Sequence, residues 1–261
     1  MFLSDRPGGE VSLWRQRLVN GAPSGSAERL SELTAVSHPR YSPDGRFIAY
    51  YGIVEDHSGK TQGSRDIWVS PAAGGPGHRL TDDPAEDVHP AWSPDGTAIA
   101  FISERGGLPQ AWGQRVAEGR PAGPAWPLTS VGTSVHAISW VDNGQRLAFV
   151  ASDSRGADVW ITATSGREAA RRLTTGARAE RVVWDRATRT LLVSGRWGGT
   201  WTSLRRLNPA TGALGVVPHV RMGELPHLVD FDVSRDGRYL AYAEGTPAGD
   251  VWVLEPRPAP K

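Results

Sequence analysis

The chain has 261 residues, 29 basic and 28 acidic side chains, a net charge of +1 and no cysteine. That length suits one large all-β domain, and the scattered basic residues make nucleic acid an unexpected partner. Without cysteine there are no disulfides, thiolate metal sites or Cys nucleophile, and with no apolar run near about 18 residues there is no expected membrane span.

Gly 31 and Pro 20 point to many tight turns. The first ten residues, MFLSDRPGGE, lack the basic region and apolar core of a signal peptide. The predicted elements recur in units. The first unit, about 1–36, begins at Phe2-Leu3-Ser4-Asp5-Arg6, continues through Trp14 and ends near Arg29-Leu30. It lacks a first strand and most of a second. The unit at about 37–82 opens at His38-Pro39-Arg40-Tyr41-Ser42-Pro43-Asp44-Gly45 and runs through Asp66-Ile67-Trp68 to Leu80-Thr81. The unit at about 83–130 shows every part: His89, Trp92-Ser93-Pro94-Asp95-Gly96, Ile99-Ala100-Phe101, Ser103-Glu104-Arg105, Trp112 and Leu128-Thr129. Pro presets φ in the turn, and Asp-Gly supplies a capping side chain and a residue tolerant of positive φ. Short apolar runs bounded by Gly and Pro predict strands, so each unit reads as four antiparallel strands.

Three units follow. That at about 131–175 carries His136, Trp140, a Val141-Asp142-Asn143-Gly144 turn, Asp158-Val159-Trp160 and Leu173-Thr174. The degenerate unit at about 176–219 has Glu180, Trp184 and Leu191-Leu192-Val193, with its third-strand Trp position near Trp201 or Leu204. The last, about 220–256, has His227, Phe231, Ser234-Arg235-Asp236-Gly237, Tyr239 to Tyr242 and Trp252 before a Pro-rich tail at 257–261. It has no fourth strand.

First-strand aromatics at Tyr41, Trp92, Trp140, Trp184 and Phe231 are 44 to 51 residues apart. A four-strand repeat of this period marks a β-propeller. Second strands are apolar on both faces, as expected of a sheet covered on both sides. Eight of the 11 Trp fall on the two repeat positions and read as rings filling the space between blades. Ser-x-Arg before Asp-x-Trp (Arg105, Arg155, Asp66, Asp158) reads as turn hydrogen bonding with room for an ion pair.

The pattern His-Pro-x-Trp-Ser-Pro-Asp-Gly, Ile-Ala-Phe, Ser-x-Arg, Asp-Ile-Trp, Arg-Leu-Thr resembles the WD-like repeat of TolB-type propellers, over nearly the whole chain. The resemblance implies an all-β, six-bladed propeller, with first and last blades incomplete. It also implies either a periplasmic or extracytoplasmic protein-binding role, as in TolB, or a cytoplasmic role beside a prolyl-oligopeptidase-type serine peptidase domain. Missing strands at both ends would expose a sheet edge, so the chain reads as a piece of a longer protein.

No Gly-x-Ser-x-Gly, P-loop or His-Glu-x-x-His occurs, so no catalytic residue, metal ligand or cofactor is assigned. One constellation stands out. His38, His89, His136 and His227 sit three or four residues before a first-strand aromatic, and Glu180 holds that place in the fifth unit. First strands line a propeller's channel, so these residues are candidates to bind a ligand at its mouth. Such a cluster could also serve a metal-dependent lyase. The one-residue difference in register means that not all can point inward. The acidic run Asp82, Asp83, Glu86, Asp87 reads as a solvated loop, with a cation site as the minor alternative. The expected function is a non-catalytic scaffold for a protein or peptide partner. The alternatives are a substrate-gating peptidase propeller and a metal-dependent lyase.

Overall fold

A computed structural model describes residues 2–4, 11–19, 22–30, 36–55, 61–199, 202–217, 228–234, 236–246 and 249–256. His227, Trp201 and the tail at 257–261 lie outside the described residues. The chain forms two compact units, Met1–Ser130 and Val131–Lys261.

Among the described residues, the first unit holds three antiparallel sheets. Sheet one is β1 (Phe2–Ser4), β2 (Ser12–Val19) and β3 (Ala22–Arg29). Sheet two is β4 (Ser37–Tyr41), β5 (Phe47–Glu55), β6 (Thr61–Pro71) and β7 (His78–Arg79). Sheet three is β8 (Asp87–Trp92), β9 (Ala98–Ser103), β10 (Gln110–Ala117), β11 (Arg120–Pro121) and β12 (Trp126–Pro127). Both β11 and β12 pair with β10, so its outermost strand is split in two.

The second unit repeats the plan. Sheet four is β13 (Ser134–Val141), β14 (Arg146–Asp153), β15 (Gly156–Ala163) and β16 (Arg171–Arg172). Sheet five is β17 (Ala179–Asp185), β18 (Thr190–Gly195), β19 (Ser203–Leu207) and β20 (Leu214–Val216). Sheet six is β21 (Leu228–Val233), β22 (Tyr239–Thr246) and β23 (Gly249–Pro256). First strands of consecutive sheets touch within each unit: β4 meets β8, and β17 meets both β13 and β21.

The second strands form the core, because neighbouring strands take their edges and neighbouring sheets take their faces. Ile48, Ala49, Ile99, Ala100, Phe101, Leu147, Ala148, Phe149, Leu191, Leu192 and Val193 are fully buried. Trp68, Trp92, Trp112 and Trp184 pack between consecutive sheets. Trp68 joins Leu13, Leu30 and Ile48 from sheets one and two. Trp92 and Trp112 join Ala49, Ile67 and Phe101 from sheets two and three. Trp184 joins the cluster of Val150, Val159 and Leu191 from sheets four and five.

Two aromatic positions differ from the sequence expectation. The pairing that sets Trp68, Trp112 and Trp160 opposite Tyr50, Phe101 and Phe149 sets Arg205 opposite Val193. Arg205, not Leu204, therefore holds the Trp position in sheet five. Trp197, from the loop before β19, packs into that gap and donates its indole N–H to Ser203 O at 3.1 Å. In sheet six, Ser234 N bonds Tyr239 O as Ser42 N bonds Phe47 O, so Val233 rather than Phe231 holds the Tyr41 position. Phe231 lies two residues earlier and is buried between sheets five and six.

The Ser-Pro-Asp-Gly turn works through its serine as well as its Pro-Asp-Gly. Ser93 Oγ donates to Asp95 Oδ1 at 2.6 Å and accepts from Ala98 N at 2.9 Å, while Asp95 Oδ1 accepts from Thr97 N at 3.1 Å. The same net recurs at Ser42 and Ser234. Gly45 and Gly96, with φ of 73° and 75°, take the left-handed position that glycine adopts without strain. Ser93→Ala orphans a buried amide, so it is expected to lower the unfolding free energy by about 1 kcal/mol. Urea titration tests this, and an unchanged midpoint refutes it.

Candidate functional site

The four described sequence-selected residues, His38, His89, His136 and Glu180, fall on strand irregularities. In β4 and β8 the pairing slips across His38-Pro39 and His89-Pro90, two residues standing against one on the partner strand. Proline has no N–H to contribute to a ladder, which suits it to a bulge. Both histidines take left-handed backbone conformations, φ 51° and 56°. In β13 and β17 the slip lies one pair further out, at His136 and Glu180. That displacement is the origin of the one-residue difference in spacing. In β21 the slip falls at Val229, just after the undescribed His227.

The structure brings two of these residues together. His38 and His89 meet edge to face with ring centroids 4.2 Å apart, and Tyr51 from β5 stacks on His38 at 5.3 Å. Ser37 Oγ lies 2.9 Å from His38 Nδ1, and all three rings are half-buried. In the second unit, His136 Nε2 is hydrogen-bonded to Ser152 Oγ. Lost hydration holds this imidazole below its ordinary pKa, although much of the side chain faces solvent. Glu180 is exposed, accepts from Thr202 Oγ1 at 3.2 Å and lies 3.8 Å from Arg196 Nε. Among the described residues no three His, Cys, Asp or Glu side chains gather in metal-binding geometry.

The ion pairs differ from those expected. Asp66 and Asp158, buried two residues before the Trp of the third strands, pair with Arg79 and Arg172 of the fourth strands. Arg105 instead pairs with Asp87 at 2.7 Å, its guanidinium lying over Phe101 and Trp112. Arg155 pairs with neither. The fourth strand's Arg-Leu-Thr is thus half of a brace, because Thr81 and Thr174 donate to the same aspartates. Where sheet three has Gln110 in place of the aspartate, its fourth strand has Pro127 in place of the arginine. Thr129 still donates to Gln110 Oε1 at 3.0 Å. That covarying pair was the available sequence signal.

The acidic run is not a simple solvated loop, because Asp87 is fully buried. Burial raises the pKa of Asp66 and Asp87 despite their arginine partners. Above this brace lies a cleft of about 430 Å³, lined by Arg79, Thr81, Asp83, Arg105, Gln114 and Pro124 among others. Nothing in the sequence marks that concavity, since its walls come from segments far apart in the chain, Arg79 to Asp83, Arg105, Gln114 and Pro121 to Ala125.

Consecutive antiparallel sheets, stacked within each unit with first strands in contact, are the blades of a β-propeller. The chain belongs to the TolB β-propeller family, whose model, described as the TolB beta propeller domain, matches residues 16–210. The chain is 28% identical over 134 residues to "Uncharacterized peptidase YuxL" of Bacillus subtilis, a match covering 51% of this chain and 20% of that protein. It is similar in fold to TolB from Acinetobacter baumannii, at TM-score 0.64 and 17% identity over 81% of this chain and 50% of that one. It also resembles a structure from an analysis of two prolyl endopeptidases, at TM-score 0.59 and 14% identity over 94% of this chain and 38% of that one. The match thus spans a fifth of the length of that curated relative. Among the described residues no helix is long and apolar enough to cross a membrane.

Proposed function

We propose that this chain is a six-bladed propeller serving as a binding scaffold for a protein or peptide partner. Its blades fall at about 1–36, 37–82, 83–130, 131–175, 176–219 and 220–256, the first and last being incomplete. The six successive sheets among the described residues, with three described strands each in the first and last, support that division. In each unit the contact surface is the end at which the first strands begin, with His38 and His89 in the first unit and His136 and Glu180 in the second; His227 stays a candidate on sequence alone.

The observation that carries this reading is the His38–Tyr51–His89 cluster. Three half-buried rings with polar edges sit on adjacent blades, two of them in backbone conformations that cost energy. Such rings offer a peptide both stacking area and hydrogen-bonding atoms. A peptide array probed with the purified chain tests it. The double variant His38→Ala, His89→Ala is expected to lose at least about tenfold in affinity for peptides that the parent binds, as removal of two ring contacts implies. Equal binding by both proteins moves the contact surface elsewhere.

A second reading is a substrate-gating propeller beside a serine peptidase domain. It is favoured by the likeness to the Bacillus peptidase and to the prolyl endopeptidase structure. A Gly-x-Ser-x-Gly encoded within about 300 codons after Lys261 supports this reading, and its absence from that span removes it.

A further inference from the structure

We propose that Arg155, Arg178 and Arg196 of the second unit form a site for an oxyanion, the carboxylate of a peptide or a phosphate. The three come from separate turns, those after β14, β16 and β18, that the fold sets side by side. The connector before β17 is pinned from beneath: Asp158 accepts from Gly176 N at 3.2 Å, Ala177 N at 3.1 Å and Thr174 Oγ1 at 2.7 Å, and pairs with Arg172. Arg178 follows at once, exposed and with φ 45°. Its stem runs over the β14–β15 turn, since a Cβ on Gly156 would lie 4.0 Å from Arg178 Cγ. Exposed Arg155 is the next residue in that turn. On the other side, Arg196 N donates to Ala177 O at 3.0 Å, which sets the third arginine against the same connector.

The charge around them is unbalanced. Among the described residues, neither Arg155 nor Arg178 has an ion-pair or hydrogen-bond partner for its guanidinium, and Arg196 has only Glu180, at 3.8 Å. Left-handed backbone at a non-glycine residue costs about 1 kcal/mol or more. Holding Arg178 there on a connector braced by a buried carboxylate aims a cation that no described group uses. Guanidinium groups recognise carboxylate and phosphate by paired charge-assisted hydrogen bonds. The corresponding connector of the first unit carries Asp82 and Asp83 instead, so this is not a general property of the repeat.

The inference rests on the second unit alone, so failure of the His38–His89 surface leaves it standing. The test titrates the purified chain with inorganic phosphate and with an N-acetylated tripeptide, supplied as free acid and as C-terminal amide, by calorimetry at low salt. The free acid or phosphate is expected to bind, and the amide not to. Arg178→Gly is the decisive variant, because glycine relieves the left-handed strain and so should raise the melting midpoint while weakening oxyanion binding by about tenfold. Binding of the peptide acid alone identifies a carboxylate site, and of phosphate alone a phosphate site. Equal binding of acid and amide, binding unchanged in Arg178→Gly, or no binding of either anion overturns the proposal.

Discussion

Phe101→Ala is expected to lower the unfolding free energy by about 3–5 kcal/mol, the range for deleting a buried aromatic ring. Phe101 is fully buried on β9. It shares a cluster with Ala49, Ile67, Val69 and Leu80 of sheet two, and pairs across the ladder with Trp112. Truncation leaves a void facing an adjacent sheet, and covalently tethered strands cannot close around it. It also removes one of the two rings beneath the Arg105 guanidinium, 5.3 Å from the Phe101 centroid. Phe101→Leu keeps part of the volume and should cost well under half as much. Urea unfolding followed by Trp fluorescence measures both. A loss below about 1 kcal/mol for Phe101→Ala would show that the two sheets do not share a packed core.

Asp158→Ala is expected to cost a similar amount, about 3–5 kcal/mol, because it leaves a half-buried guanidinium and three donors without their common acceptor. Its pH signature distinguishes it from packing loss. Burial alone would raise the Asp158 pKa, but Thr174, Ala177 N, Arg172 and Gly176 N together hold it below the ordinary value. A depressed carboxylate contributes stability that is fully present above the unfolded pKa of about 3.9 and is lost as pH falls through the folded value. Asp66 and Asp87 carry the opposite sign, since burial raises both. Their contribution is fullest when they are protonated and declines as pH rises through their folded values. Melting midpoints from pH 3 to 7 should therefore fall on the acid side for the parent and flatten there in Asp158→Asn. Asp87→Asn should instead remove a decline on the neutral side. Parallel curves for the parent and Asp158→Asn would refute the brace as an ionised structure.

Much of the fold was legible because its signals are local. Ser93-Pro94-Asp95-Gly96 announces its turn from four adjacent residues, and Ile99-Ala100-Phe101 announces a strand covered on both faces. What escaped depends on pairing between distant segments. The Asp158–Arg172 brace joins residues whose partnership is visible only when sheet three, with Gln110 and Pro127, is set beside it. Arg205 hides behind a lost Trp whose volume is supplied from outside the strand by Trp197. Gly113 reads as an interruption of β10, yet a Cβ there would lie 2.5 Å from the Trp126 ring. The shared repeat position of His38 and His89 was legible in the sequence, and their meeting was not. His38 and His89 meet because β4 and β8 touch and both slip at a His-Pro step, and register is not written in spacing alone.

The two-against-one steps at the head of the first strands have a consequence for how such a protein diversifies. Each step absorbs a surplus residue on the spot, and beyond it the ladder resumes its pairing down to the Trp92, Trp140 or Trp184 level. Insertion, deletion or exchange at the rim is thereby uncoupled from the scaffold underneath. One blade can present imidazole and its neighbour a carboxylate or guanidinium without any strand rethreading its partner.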